Sequence, residues 1–152
     1  MTTFAAHGEY ILRRCGRVAR VDAWGPWNVE RTADYAERLT ACMQAMPKPF
    51  GMMMVSHVQP ILSPEAEEVL RLNIRQRVLL GCTAQATVFL DPETEFVANA
   101  RYRHLYALEG LRHATFYAVA PATQWLIDCG FTDVKGLRLG ELSPLQEAVR
   151  HG

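Results

Sequence analysis

Short, dense apolar runs alternate along this chain with stretches in which apolar residues recur every three or four positions, and that alternation lays out its elements in order. The densest run, GMMMVSHV from Gly51, predicts a buried strand over Met52 to Val58. A turn at Gln59-Pro60 follows, and then a stretch in which Ala66, Val69, Leu70, Ile74 and Val78 fall on one helical stripe, with Glu67, Glu68, Arg71 and Arg75 on the other side. Ser63-Pro64-Glu65 supplies a capping hydroxyl, a proline at the first helical position and an acid in the first turn. Gly81 closes the helix. A strand apolar on both faces that leads into a capped amphipathic helix predicts a βα unit in a parallel sheet covered on both sides.

The same reading extends in both directions. Tyr10 to Leu12 and Val18 to Trp24, joined by Cys15-Gly16-Arg17, predict an antiparallel hairpin. Gly25-Pro26-Trp27 breaks the second strand, and Asn28 caps a helix running to about Ala45, with Val29, Ala33, Ala36, Leu39, Met43 and Met46 as its stripe. Thr83 to Leu90 is the next strand. Asp91-Pro92-Glu93 opens a third helix that reaches about Leu108. His113 to Ala120 is the last strand, and Pro121 opens a short helix closed by Gly130. The predicted order is β-β-α-β-α-β-α-β-α: an α/β protein with a mixed, mostly parallel five-stranded sheet. Residues 1–131 form the domain; 132–152 form a tail with a short helix at Ser143-Pro144.

Composition narrows the function classes. Of 152 residues, 16 are basic and 16 acidic, so no global field draws in nucleic acid or an anionic membrane. No segment approaches the ~20 consecutive apolar residues of a membrane span, and no secretory leader is visible; a cytoplasmic protein is the expectation. Cys15, Cys42, Cys82 and Cys129 lie far apart with no C-x-x-C pair, which predicts buried reduced thiols. The five histidines, at 7, 57, 104, 113 and 151, lack metal-ligand spacing, and no glycine-rich phosphate loop occurs. Arg71, Arg75 and Arg77, with Arg101 and Arg103 on the next helix, form either a basic face or, as the balanced total charge favours, a solvated helix surface. No cofactor and no metal are expected.

In open α/β sheets ligands bind beyond the carboxyl ends of the strands. That edge gathers Asp22, Trp24, Trp27 and Asn28 from the first crossover, Ser56, His57 and Ser63 from the second, and Asp91 and Glu93 from the third. Ser, His and Asp on one rim suggest a hydrolase, but no G-x-S-x-G elbow is present, and Ser63 and Asp91 already have helices to cap. Trp24 and Trp27 flank a Gly-Pro turn, where they line a pocket or interface, or else staple the first helix to the sheet.

The element order from Glu9 to Phe131, the Gly25-Pro26-Trp27-Asn28 start of the first helix and the apolar strand followed by Ser63-Pro64-Glu65 resemble the SpoIIAA-like fold. That is the fold of STAS domains in bacterial anti-sigma factor antagonists and of small bacterial proteins of unassigned function. The resemblance implies a non-enzymatic regulatory or protein-interaction module acting through Trp24, Trp27, Asn28, Ser56, His57 and Ser63, with a protein partner or a second copy of the chain as a homodimer. It also implies Ser63 as the position of phosphorylation, although here Pro64 removes an amide and Glu65 adds a carboxylate where regulatory members have an Asp-Ser-Ser-Gly-like turn. The alternative is a small-molecule binding domain, for a nucleotide or another anion, at the same rim.

Overall fold

Gly16 adopts φ +62°, a left-handed conformation that closes the turn between the first two strands. The computed structural model describes residues 8–58, 63–90, 103–107, 109–132, 134 and 137. Across that turn β1 (Glu9–Cys15) pairs antiparallel with β2 (Val18–Trp24), Cys15 opposite Val18 and Glu9 opposite Trp24. Helix α1 (Val29–Gln44) leads to β3 (Phe50–Val58), parallel to β2. Next come α2 (Pro64–Leu80) and β4 (Cys82–Phe89), parallel to β3. Residues 103–107 are helical, β5 (Arg112–Phe116) is parallel to β4, and α3 spans Val119–Asp128. The sheet runs β1-β2-β3-β4-β5, so the expected α/β architecture with a mixed, mostly parallel five-stranded sheet is present. Most of the expected third helix, the cap at Asp91, the turn at Gln59-Pro60 and the helical turn at Ser143 lie outside the described residues.

Each strand neighbours its sequence predecessor, so the crossovers step steadily in one direction. Crossovers of one hand then place their helices on one face. On this first face Tyr35, Leu39 and Met43 of α1 and Leu70 and Ile74 of α2 meet Ala19, Val21, Phe50 and Met52, with Leu105 and Tyr106 closing the far side. After β5 the chain turns under the sheet. Ala122 and Leu126 of α3, with Phe131 and Leu137, cover Val18, Met53, Val55, Ala84, Ala86 and Val88 on the second face. Leu137 is fully buried, so the second core extends past residue 131. Met52 and Met53 are both fully buried because adjacent strand residues point to opposite covered faces.

Several local expectations shift. Helix α1 buries Thr32 and Tyr35 with Leu39 and Met43, while Ala33 is exposed: the large Tyr35 ring turns the helix about its axis. Helix α2 buries Asn73 and Arg77 along with Ala66, Leu70 and Ile74, so Arg77 belongs to the interior rather than to a solvated basic face. The last strand ends at Phe116 and α3 starts at Val119, two residues before Pro121. Proline is tolerated there because the amides of a helix's first turn have no intrahelical acceptor. All four cysteines are free thiols, Cys15 and Cys82 buried, Cys42 and Cys129 partly so.

Candidate functional site

Strand alternation places Arg20, Asp22 and Trp24 on one face of β2. Because both faces of β2 are covered, the charges of the first two are enclosed: each is fully buried. Such a pair persists only when hydrogen bonds replace the water it has lost. Arg20 donates from Nε to Asp22 Oδ1 at 2.7 Å and from Nη2 to Oδ2 at 3.0 Å, a bidentate clasp, and its Nη1 donates to the carbonyl of Leu137. From the neighbouring strand β3, His57 Nε2 lies 2.8 Å from Asp22 Oδ2. From β1, Arg13 Nη2 stands 3.9 Å from Oδ1. Burial alone would raise the Asp22 carboxyl's pKa, but the hydrogen bonds from His57 and Arg20 outweigh it and hold the group below its ordinary range.

An ionised carboxylate only accepts, so His57 Nε2 carries the proton of that bond. Nδ1 of the neutral ring then keeps a lone pair, and becomes a donor when the ring is protonated. The Trp24 indole lies flat on this imidazole, centroids 4.2 Å apart and planes 15° from parallel. The His57 side chain is only 8 % exposed, so carboxylate and indole leave it little freedom.

Of the residues singled out by sequence, the structure brings Asp22, Trp24 and His57 together and gives Trp27, Asn28, Ser56 and Ser63 other places. Trp27 is buried between Tyr10 and Tyr35, 5.5 and 5.0 Å from their centroids, and its Nε1 donates to the carbonyls of Glu9 and Trp24. It staples the start of α1 to the hairpin. Asn28 Oδ1 accepts from the Arg31 amide at 3.0 Å and caps α1; Ser63 Oγ accepts from the Ala66 amide at 3.2 Å and caps α2. Ser56 neighbours His57 in sequence, so its side chain leaves the opposite face of β3, where it is buried. Asp91 and Glu93 fall outside the described residues.

A second polar cluster, on the first face, escaped sequence reasoning. Arg77, fully buried, donates to Gln85 Oε1 and, at 2.8 Å, to Asn73 Oδ1; Gln85 in turn donates to the Tyr106 hydroxyl. Beside it, His113 Nε2 and Thr87 Oγ1 are 2.9 Å apart, and the His113 ring lies 4.5 Å from that of Tyr106. Burial, assisted by the charge of Arg103, lowers the His113 pKa to about 4, and burial pushes the Cys82 thiol up to about 11. Arg77 follows Leu70 by seven residues and Asn73 by four, a phase that marks the buried stripe.

Among the described residues no three His, Cys, Asp or Glu side chains converge to hold a metal ion, and no helix is long and apolar enough to cross a membrane. Compared with protein-family models, curated proteins and solved structures, the chain matches none.

Proposed function

We propose that this chain is a non-enzymatic regulatory or protein-interaction module of SpoIIAA-like, STAS-like type, and that its working surface is the carboxyl edge of β2 and β3 where Trp24 lies on His57. The observation that carries the reading is that stack, held from behind by a buried Asp22–Arg20 clasp. An aromatic pair already fixed in place loses little further freedom when a partner seats on it, and tryptophan is over-represented among the residues that dominate interfaces. Binding rather than acyl transfer is favoured because the two nearby serines are committed elsewhere, Ser56 to the opposite face and Ser63 to its cap.

The test is quantitative capture of partners by tagged wild-type, Trp24→Ala and His57→Ala chains whose circular dichroism matches. At least one partner bound by the wild type should be lost, or weakened tenfold or more, in both variants. Unchanged capture by both variants sinks the reading. A native mass spectrum of the chain from its own host examines the second reading, a small ligand at the same edge: a retained mass that disappears with Trp24→Ala would favour it.

A further inference from the structure

Among the described residues, Arg13 is a charged side chain on the sheet's second face whose hydrogen bonding is incomplete. It projects from edge strand β1 opposite Arg20, with its side chain 19 % exposed. Its Nε and Nη2 are nevertheless buried and have no hydrogen-bond partner. The carboxylate facing it, Asp22, lies 3.9 Å from Nη2, an ion-pair separation beyond hydrogen-bond reach. That carboxylate accepts instead from Arg20 at Oδ1 and from Arg20 and His57 at Oδ2. Two guanidinium groups therefore stand against one carboxylate.

The identity of the two nitrogens is informative. Nε and Nη2 are the N–H pair on one side of the guanidinium plane, the fork that grips two coplanar oxygens at once. Arg20 uses this same pair on Asp22. Arg31 and Arg77 each leave Nε alone without a partner; Arg13 leaves the whole fork.

We propose that Arg13 is the anchor of a binding site for a small oxyanion, a carboxylate or phosphate group, gripped by Nε and Nη2. The site needs no partner on Trp24, so it stands apart from the interaction reading. Its chemistry favours a pair of oxygens, one for each N–H, over a monatomic anion, which offers both N–H groups a single shared acceptor.

The test is thermal unfolding of the full chain at pH 7 in increasing sodium phosphate, sodium acetate or sodium chloride, at matched ionic strength. Phosphate, acetate or both should raise the midpoint saturably while chloride does not. A response to phosphate alone identifies a phosphate-bearing ligand; a response to acetate as well identifies a carboxylate, including an acidic side chain of another molecule. Arg13→Lys keeps the charge and loses the fork, and should weaken the apparent affinity at least tenfold. Equal shifts with chloride, no shift with either oxyanion, or a full response in Arg13→Lys would overturn the proposal. Should that variant fold poorly, the Arg13 Nε–H resonance of the wild type decides: it must move on phosphate or acetate titration, and a stationary signal overturns the site. None of these readouts involves Trp24, so failure here leaves the interaction reading standing, and the reverse also holds.

Discussion

The carboxylate at position 22 is answered by basic side chains from three strands: Arg20 on its own, His57 on β3 and Arg13 on β1. Removing the negative charge while keeping the shape, Asp22→Asn, strands buried positive groups around a neutral amide, and loss of one partner of a buried pair costs about 3–5 kcal/mol. The urea midpoint should fall accordingly; a shift under about 1 kcal/mol would mean the cluster is far better hydrated than its burial implies. Because the folded-state pKa of Asp22 is depressed, its contribution is present above the unfolded carboxylate range and is lost as pH falls through the folded value. His113 acts higher on the scale. Its folded pKa of about 4 lies below the ordinary imidazole value of 6.5, so the neutral ring stabilises the fold fully above about pH 6.5, and that contribution drains away as pH falls toward 4. At about 1.4 kcal/mol per pH unit the loss reaches at most about 3.5 kcal/mol. His113→Gln keeps a polar group for Thr87 and should flatten that stretch of the stability-pH curve; a wild-type curve already flat there would rule the mechanism out. Little of this was legible residue by residue. Asp22 was visible as a rim carboxylate, but its pairing with Arg20 follows only when β2 is known to be covered on both faces, which its sequence neighbours do not state.

Elements were easier to read than residues, because caps and turns are local chemistry. Asn28 and Ser63 sit at the caps that their sequence contexts predict, and Gly81, at φ +116°, ends α2 where a side chain would be strained. A Cβ at Gly81 would also stand 2.8 Å from Lys48 Cγ. Ser63→Ala should therefore lower stability by about 1 kcal/mol, whereas Ser63→Asp, an equally good cap with charge suited to a helix N-terminus, should stay within about 0.5 kcal/mol of wild type. Equilibrium denaturation separates the two, and equal losses would show that the Ser63 cap bond contributes nothing of its own. What the pattern could not supply was rotation. The α1 stripe drawn through Val29, Ala33 and Ala36 treated small apolar residues as core, but burying the Tyr35 ring removes more apolar area from water and so sets the facing side. Arg77 was misplaced for a related reason: a charge was assumed to be solvated, although its phase along α2 placed it inside.

At the scale of the whole molecule the two faces of the sheet are closed differently. The first is sealed by the crossover helices; the second is sealed by α3 together with Phe131 and Leu137. Gly51 makes room for this, since a Cβ there would approach the Phe131 ring to 3.1 Å. Leu137→Ala should cost about 2–4 kcal/mol by cavity formation. A chain ended at residue 131 should lose more, because it also takes an acceptor from Arg20. Guanidinium denaturation of the three chains gives that ranking, and a truncated chain as stable as the full one would refute it. Leu137 was not legible as core because VKGLRLGEL carries three leucines with nothing in the pattern to single out the first. The bond from Arg20 to Leu137 joins residues 117 positions apart, and a chain is made from its N-terminus onward. On the ribosome, then, the guanidinium of the second strand waits for an oxygen not yet synthesised, and the second face of the sheet is the last part of the described fold to be completed.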